Sequence, residues 1–360
     1  MALTIGIDAR AATEVPAGRG RVVRELLRAL AARDDAHRYL CYARERWSVP
    51  LDARFQWRLS GARDPLWHLL ETHRANRECD VFLATNSYLT AMLSRIPTVA
   101  IIYDLVAFDA AMAPNRRSTV IERLTLGGAV RRASRLLCIS RTTADALIAR
   151  YPEARTRTVV APLGVAPTLD APAPAEVALL PPPGFVLAVG TLEPRKNLPR
   201  LVEAFARLPP ELQAVHPLVV VGATGWSVGP TVSALAALGD RCVRLGHVSD
   251  ATLAELYRRC GLFCYPSLGE GFGLPVLEAM AAGAPVLTSS VSSLPEIAGD
   301  GACFADPKDV EAISRAMETL LTDVDRARSI ARRGQARAGE FSWGAFAART
   351  LATLDAAAAS

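Results

Sequence analysis

The sequence predicts an α/β fold made of two doubly wound, Rossmann-like domains that face each other across a cleft. Short, continuous apolar runs alternate with amphipathic stretches along the chain, which is typical of parallel sheets covered by helices on both faces. The 360 residues also exceed the usual size of one hydrophobic core. A ligand cleft is therefore expected between the domains, at the carboxyl ends of both sheets.

Each half of the chain contains about six apolar runs short enough to be strands. The runs of the first half are Thr4–Asp8, Tyr39–Tyr42, Val81–Ala84, Thr98–Tyr103, Leu136–Ile139 and Thr158–Ala161. Those of the second half are Phe185–Val189, Leu218–Val221, Cys242–Leu245, Leu262–Tyr265, Pro285–Thr288 and Ala302–Phe304. Amphipathic stretches between them predict helices, among them Arg21–Ala32, Leu198–Leu208, Thr252–Arg259 and Val310–Leu321.

The domain boundary is predicted from proline content. Residues 167–184 contain six prolines and read as a stiff linker between a domain at 1–166 and a domain at 185–340. No run of about 18 uncharged apolar residues predicts a membrane span. The N-terminus does not resemble a signal peptide, and seven scattered cysteines indicate reduced core residues of a cytoplasmic protein. We expect no metal site.

The charge is distributed unevenly along the chain. Residues 1–166 hold 25 arginines against 16 acidic residues, a net charge of +9, whereas residues 167–360 carry −4. The basic half indicates contact with something anionic, such as a membrane face or a lipid-phosphate acceptor. An arginine-rich composition that merely decorates exposed helices explains it equally well. Nucleic acid is not expected, because no nucleic-acid motif is present.

Two adjacent cations stand at a predicted strand-to-helix turn. Only Lys196 and Lys308 are lysines among 41 basic residues, and Lys196 follows Arg195 in the segment Gly190 to Asn197. An arginine fork beside a compact ammonium suits a diphosphate. The alternative is a solvated Arg-Lys pair on the shoulder of a helix.

Two glycine turns strengthen the phosphate interpretation. Gly18 and Gly20 precede a helix-like stretch, where glycine lets backbone N–H groups approach an anion, although this pair is weak and is not a dinucleotide fingerprint. A stronger turn begins after the strand at 262–265. The helix that follows this turn is expected to begin near Pro275. The backbone of the turn would then present N–H groups of Gly271, Phe272, Gly273 and Leu274 to a phosphate.

Two carboxylates flank the second turn. Glu270 and Glu278 are eight residues apart, and such a pair can bind hydroxyls at two distances from one phosphate, as in a sugar and a ribose. The alternative is that Glu270 caps the turn and Glu278 is solvated.

These motifs resemble the retaining glycosyltransferases of family 4, which have the GT-B fold, and in particular their mannosyl- and rhamnosyltransferase-like branch. The resemblance covers nearly the whole chain and rests on residues 190–197, the pair Glu270 and Glu278, and the segments 218–226, 245–250 and 341–345. It implies a C-terminal helix at 341–360 that returns to the first, acceptor-side domain. It also implies retention of anomeric configuration with no divalent metal or other cofactor.

Carried over by position, the resemblance assigns roles to the site residues. Arg195 and Lys196 would hold the donor diphosphate within the segment that begins at Gly190. Glu270 would contact the donor sugar and Glu278 the ribose. The nucleobase would lie near Gly246, His247 and Val248, and the diphosphate above Gly18 and Gly20.

One position departs from the resemblance. After the strand at 98–102 the related subgroup has His-Asp, whereas this chain has Tyr103 and Asp104. A tyrosine can donate one hydrogen bond but does not replace a histidine as an acid or base near neutral pH. Asp104 is therefore the catalytic candidate of the first domain, with a loop cap as its alternative.

The resemblance implies a cytoplasmic glycosyltransferase, peripheral on the inner membrane face if the basic surface binds lipid. Its donor would be GDP-mannose first, with UDP- or dTDP-sugars as alternatives. The acceptor would be a glycan, a lipid-linked glycan or a secondary metabolite. The rival functions are a GT-B-fold phosphorylase or epimerase, and a catalytically degenerate nucleotide-sugar-binding scaffold. The sequence identifies neither the acceptor nor the oligomeric state.

Overall fold

A computed structural model describes residues 2–16, 18–108, 116–165, 180–226 and 229–360. The chain divides into two compact units. Unit 1 comprises Met1–Gly164 together with Ser342–Ser360, and unit 2 comprises Val165–Phe341. Most of the expected linker at 167–184 lies outside the described residues.

Unit 1 contains a parallel sheet of seven strands among its described residues, in the order β3-β2-β1-β4-β5-β6-β7. The strands are β1 Thr4–Asp8, β2 Arg38–Ala43, β3 Phe55–Leu59, β4 Val81–Ala84, β5 Thr98–Ile102, β6 Arg135–Cys138 and β7 Thr158–Val160. All six predicted strands of this half are confirmed, and no predicted end differs from the observed one by more than one residue. β3 was missed because, at the sheet edge, it is only partly buried and reads as a mixed polar and apolar segment.

Helices surround this sheet. They are α1 Ala11–Glu14, α2 Arg19–Ala31, α3 Leu66–Glu78, α4 Tyr88–Leu93, α5 Arg116–Arg132, α6 Arg141–Arg150 and α15 Trp343–Ala358. α15 packs on α2 and on the central strands, and its buried face includes Phe346, Leu351 and Leu354. Ser342 caps α15, since its Oγ accepts a hydrogen bond from the Ala345 N–H at 3.1 Å.

Unit 2 has the strand order β10-β9-β8-β11-β12-β13, and all pairs are parallel. The strands are β8 Val186–Val189, β9 Leu218–Val221, β10 Cys242–Gly246, β11 Leu262–Tyr265, β12 Val286–Ser289 and β13 Cys303–Ala305. The helices are α7 Leu198–Ala206, α8 Pro210–Val215, α9 Gly229–Ala237, α10 Asp250–Arg259, α11 Leu274–Ala281, α12 Leu294–Ala298, α13 Val310–Thr322 and α14 Val324–Ala338. All six predicted strands of this half are confirmed.

Both units are doubly wound, because the strand order runs outward in both directions from the first strand of each. In such sheets the loops at the carboxyl ends of the strands collect at one edge, and ligand sites form there. The first strand of each unit is central and buried, so the loop that follows it lies in the middle of this edge. Within the described ranges, no helix is long and apolar enough to cross a membrane.

The connection from β1 to α2 is held by charge and by a close backbone contact. The buried Arg10 guanidinium lies 3.9 Å from the Trp67 ring centroid, and its Nη1 donates to the Asp64 carboxylate at 3.1 Å. Gly20 lies inside the first turn of α2, where a Cβ atom would stand 1.7 Å from the Val15 carbonyl oxygen. The helix therefore begins at Arg19, two residues before the expected start.

Replacement of Gly20 by alanine tests this contact. We expect Gly20→Ala to lower the unfolding free energy of unit 1 by about 1–3 kcal/mol, because the added methyl group must displace backbone. The measurement is chemical denaturation. The control is Gly61→Ala in the same unit, where an added Cβ meets nothing within 4 Å. Equal stabilities of the two variants would contradict the packing argument.

Candidate functional site

The loops at the carboxyl edge of unit 2 approach each other closely. Gly190 follows β8 with φ 147° and Gly222 follows β9 with φ 149°. A Cβ atom at Gly222 would lie 2.0 Å from the Gly190 carbonyl oxygen, and one at Gly190 would lie 3.2 Å from Lys196 Cε. Glycine at both positions thus permits backbone and the Lys196 side chain to pass over the ends of the strands.

The two predicted cations lie in a single 3-10 turn, Pro194–Lys196, between β8 and α7. Asn197 ends this turn in the left-handed region, at φ 60°, a conformation that asparagine tolerates better than most residues. Its Nδ2 donates to the carbonyl oxygens of Pro266, at 2.9 Å, and Pro307, at 2.6 Å. The Leu268 N–H donates to the Arg195 carbonyl at 2.8 Å, so the turn is fastened to the loop after β11.

Glu270 lies at the centre of a buried polar cluster. Its Oε1 accepts hydrogen bonds from Lys196 Nζ at 2.7 Å, Ser267 Oγ at 2.7 Å and the Tyr265 hydroxyl at 2.9 Å. Arg195 Nη1 pairs with the other carboxylate oxygen, Oε2. The sequence assigned the cations to a phosphate and Glu270 to a sugar, but here the three groups bind one another.

Burial and charge oppose each other in this cluster. Burial alone would raise the pKa of Glu270, but the positive charges of Lys196 and Arg195 outweigh it and lower that pKa to about 2. Burial lowers the pKa of Lys196, and the Glu270 carboxylate opposes that shift. Burial, together with the same carboxylate, raises the pKa of the Tyr265 hydroxyl well above its ordinary value. Glu270 is therefore ionised at neutral pH.

A second acid offsets the remaining positive charge. Arg195 Nη2 lies 2.6 Å from the Glu193 carboxylate. Two cations thus face two carboxylates, and the cluster carries no net charge when all four groups are ionised.

The glycine turn after Glu270 is braced from the loop after β12. Ser293 Oγ donates to the carbonyl oxygens of Glu270 at 3.0 Å and Phe272 at 2.9 Å. The Glu270 N–H donates to Ser292 Oγ at 2.9 Å. The turn itself runs through Gly271 to Gly273, which has φ 104° and caps α11.

The backbone of this turn presents N–H groups that could donate hydrogen bonds to an anion. Pro275 occupies the first turn of α11, as the sequence predicts. Among the described residues, the N–H groups of Phe272, Gly273 and Leu274 have no hydrogen-bond acceptor. Such N–H groups at the start of a helix attract an anion. The Phe272 ring is buried and packs edge-to-face on Phe341, with 5.9 Å between ring centroids, which holds the turn in place.

Glu278 is buried rather than solvated. Its side chain points into the unit from the second turn of α11, the residue is 3% exposed, and its Oε2 accepts a hydrogen bond from the Tyr257 hydroxyl at 3.1 Å. The solvated alternative for Glu278 is therefore wrong. Of the three expected nucleobase residues, Gly246 ends the edge strand β10, and His247 and Val248 follow it, with His247 exposed.

The first-domain candidates lie together in unit 1. Gly18, with φ 54°, is the residue before α2, whereas Gly20 lies within that helix and packs against the Val15 carbonyl. Gly20 therefore lies in the first turn of α2 rather than in a loop, and its missing side chain serves a helix contact. Its assignment to the diphosphate stays a prediction. Asp104 follows β5, and its Oδ1 accepts a hydrogen bond from the Val106 N–H at 3.0 Å, which is the geometry of a loop cap.

Sequence reasoning missed several members of the cluster. Tyr265 and Ser267 both bind the Glu270 carboxylate, and Ser292 and Ser293 brace the turn. Tyr265 and Ser267 immediately precede the recognised motif, so their position was a usable signal. Ser292 and Ser293 lie more than twenty residues further on, and only the folded sheet brings them close. In the described part of the chain, no cluster of three or more His, Cys, Asp or Glu side chains could hold a metal ion.

Comparison with known proteins identifies family models for both units. A model described as Glycosyltransferase Family 4 matches residues 16–169, and one described as Glycosyl transferases group 1 matches residues 174–337. The O-antigen chain mannosyltransferase B of Escherichia coli is 46% identical over 164 residues, which are 44% of this chain and 42% of that protein. The MMP alpha-(1->4)-mannosyltransferase of Mycolicibacterium hassiacum is 33% identical over 236 residues, 64% of this chain and 56% of that protein. The matches thus span only about half the length of these relatives.

Solved structures resemble the whole chain. Sucrose-phosphate synthase from Thermosynechococcus elongatus superposes with a TM-score of 0.79 at 21% identity, covering 97% of both chains. Anabaena HepE, solved with UDP and glucose, superposes with a TM-score of 0.78 at 20% identity, covering 98% of this chain and 100% of that one. At this level of identity the likeness shows the fold, which is GT-B.

Glu270→Gln tests the ionic cluster. Removal of one partner of a buried ion pair costs about 3–5 kcal/mol, and we expect the unfolding free energy of unit 2 to fall by about this amount at neutral pH. Because the pKa of Glu270 is lowered from 4.5 to about 2 on folding, its stabilisation is complete above 4.5 and is lost as the pH falls to 2. The difference between wild type and variant should shrink over that range.

Denaturant unfolding at several pH values measures this difference. The control is Glu203→Gln, which removes an ion pair to Arg207 at 2.8 Å whose two side chains are about half exposed. Such a pair contributes about 0–1 kcal/mol. A Glu270→Gln variant no less stable than this control would rule out the cluster as a stabilising element.

Proposed function

The chain belongs to glycosyltransferase family 4, and we propose that it is a retaining, metal-independent enzyme that moves a sugar from a nucleotide-sugar donor to a glycan or lipid-linked acceptor. The observation that carries this proposal is the cluster of Lys196, Arg195 and Glu270 beside the turn that begins α11. It combines the groups that a diphosphate needs with a carboxylate that suits sugar hydroxyls. The proposed location is the cytoplasm.

The cations and the turn would act on the leaving diphosphate. When the glycosidic bond of the donor breaks, negative charge develops on the departing phosphate oxygen. Fixed donors aimed at that oxygen lower the barrier because they need not reorganise during the reaction. Lys196, Arg195 and the N–H groups from Phe272 to Leu274 are such donors, and no step in this account requires a metal ion.

The two glutamates would bind hydroxyls on either side of the diphosphate. Glu270 is ionised and accepts hydrogen bonds, so it can receive those of the donor sugar. Glu278 is held by Tyr257 and would contact the ribose. Gly190, Gly246, His247 and Val248, at the ends of β8 and β10, would lie beside the rest of the nucleotide.

Asp104 and Gly18 stay predicted site residues of unit 1, as the resemblance implies. Asp104 already accepts a backbone hydrogen bond through Oδ1, which leaves its other oxygen for substrate.

GDP-mannose is the first choice of donor. Two of the relatives are named mannosyltransferases, and this supports mannose. UDP-sugars are the alternative donors to assay, since the similar structure of HepE was solved with UDP and glucose.

Lys196→Ala separates this function from its rivals. A panel of GDP-, UDP- and dTDP-sugars is incubated with the protein without metal, and sugar transfer or hydrolysis is followed by mass spectrometry. We expect Lys196→Ala to reduce turnover by about 10²–10³-fold, because it removes a donor to the leaving group. Lys308→Ala is the matched control, since Lys308 is the other lysine and is exposed.

Nucleotide protection and absorbance distinguish the proposed enzyme from its rival functions. A nucleoside diphosphate that binds should raise the melting temperature of the wild type, and a tighter-binding one should raise it further at the same concentration. No protection by any nucleotide would overturn the donor site. Protection without turnover would favour a binding scaffold, and lysine-bound pyridoxal phosphate absorbance would favour a phosphorylase.

A peripheral contact with an anionic membrane is a further part of this proposal. On α3 and the adjoining edge strand, Leu59, Leu66, Leu69 and Leu70 are each about half exposed, at 49%, 53%, 50% and 48%. Unit 1 holds nearly the whole positive half of the chain. An apolar helical face on a unit of net positive charge suits the interface of an anionic bilayer.

Leu66→Glu and Leu70→Glu test the membrane contact. Each places a carboxylate against anionic lipid, so we expect cosedimentation with phosphatidylglycerol-containing vesicles to fall severalfold. Val324→Glu in unit 2 is the control, because Val324 is exposed to a similar degree, 53%. The contact is excluded if wild-type protein does not sediment with the vesicles, or if the control loses binding equally.

A further inference from the structure

Two buried tyrosines of unit 2 each donate a hydrogen bond to one of the two candidate glutamates. The Tyr265 hydroxyl donates to Glu270 Oε1 at 2.9 Å, and the Tyr257 hydroxyl donates to Glu278 Oε2 at 3.1 Å. Tyr257 belongs to α10 whereas Tyr265 ends β11, so the two phenols reach the glutamates from different elements. Tyr265 belongs to the ionic cluster around Glu270, but that cluster gives Tyr257 no role.

The ring of Phe263 joins the two tyrosines. Its centroid lies 5.5 Å from that of Tyr257, with the rings at 72°, and 5.8 Å from that of Tyr265, with the rings at 19°. Phe263 and Tyr265 are two residues apart on β11, so their side chains lie on the same face of the sheet. All three rings are buried. A row of packed rings therefore runs from the one carboxylate to the other.

This row holds the Tyr257 phenol in place. Phe263 pairs with Leu187 on β8 and with Val286 on β12, so neighbouring strands hold its backbone from both sides. A buried tyrosine packed edge-to-face on such a ring has few rotamers open to it. The Tyr257 hydroxyl is consequently a fixed donor for Glu278.

A fixed donor matters for Glu278 because a glutamate side chain has three rotatable bonds. Ordering those bonds when a ligand arrives costs free energy, and that cost is subtracted from the affinity. The bond from Tyr257 holds Oε2, and the planar carboxylate then sets where Oε1 points. A ligand that meets Glu278 therefore meets a carboxylate that was oriented before binding.

We propose that Tyr257 is a positioning residue for the donor nucleotide, whose hydroxyl holds the Glu278 carboxylate in the orientation that accepts hydrogen bonds from ribose hydroxyls. The inference rests on the proposed function, in which Glu278 contacts the ribose, and adds to it a residue from another helix. The ribose is remote from the glycosidic bond that breaks. Tyr257 therefore strengthens binding of the donor and leaves the chemical step unchanged.

Tyr257→Phe tests this role, because it removes the hydroxyl and keeps the ring that packs on Phe263. Affinities for GDP and its dideoxyribose analogue are measured by isothermal titration calorimetry without metal, and UDP with its own analogue is measured in parallel. We expect wild type to prefer the ribose form of the nucleotide it binds best by about 10- to 100-fold, as for hydrogen bonds to a charged group. Tyr257→Phe should reduce that preference about 5- to 10-fold and leave the affinity for the dideoxy form unchanged.

Turnover of the nucleotide sugar supplies a second measurement. Tyr257→Phe should raise the KM for the donor about 5- to 10-fold and leave kcat unchanged, because the ribose contact is the same in the ground state and in the transition state. A phenol that only supported the fold would instead change the affinities for the ribose and dideoxy forms equally.

Tyr42→Phe is the matched control. The buried Tyr42 hydroxyl donates to the Glu78 carboxylate at 3.2 Å in unit 1, so this variant loses a phenol-carboxylate bond of nearly the same length. Both tyrosine variants should melt below wild type, but Tyr42→Phe should keep the full ribose preference. Glu278→Gln should lose the preference, as Tyr257→Phe does.

The four proteins separate this inference from the proposed function. If Glu278→Gln loses the ribose preference while Tyr257→Phe keeps it, the positioning role is overturned and the donor site stands. If wild type shows no ribose preference or binds no nucleotide, or if Glu278→Gln keeps the preference, the ribose contact of Glu278 is overturned together with the role of Tyr257. An equal loss of both nucleotide forms in Tyr257→Phe, or loss of the preference in Tyr42→Phe, would overturn the positioning role alone.

Discussion

The ion pairing of Glu270 with Lys196 and Arg195 constrains the rest of unit 2. A carboxylate and two cations withdrawn from water are costly unless their geometry is close and their other hydrogen bonds are made. Tyr265, Ser267 and Glu193 supply those bonds. Asn197, in its left-handed conformation, ties the cationic turn to the loop after β11 and so keeps the partners in register.

Arg195 and Lys196 pair with carboxylates of the protein and, in the proposed function, would also bind the diphosphate of the donor. In the protein alone, Glu270 and Glu193 neutralise Arg195 and Lys196. In the proposed function a diphosphate would bind the same two cations. The Glu270 carboxylate would then accept hydrogen bonds from the hydroxyls of the donor sugar. The cluster would then stabilise the free protein and also set the position of the reacting groups.

The two units place different side chains at the carboxyl edges of their sheets. In unit 2 the edge presents cations and helix N–H groups, which suit phosphate. In unit 1 the corresponding edge carries the phenols of Tyr88 and Tyr103 and the ion pair of Arg19 with Glu122. Burial raises the pKa of Tyr103, so this phenol does not titrate near neutral pH as the histidine of the family pattern would.

The sequence by itself determined the fold class, twelve of the strands and the glycine turn before α11, because apolar runs and glycine turns are local signals. It missed β3, whose exposed edge position weakens the apolar pattern, and it placed Gly20 in a loop although that glycine serves a helix contact. Only the tertiary structure showed that Glu270 binds both cations, that Glu278 is buried, and that Ser292 and Ser293 brace the turn. These contacts join residues far apart in the chain, and a parallel sheet creates them by bringing the ends of its strands to one edge.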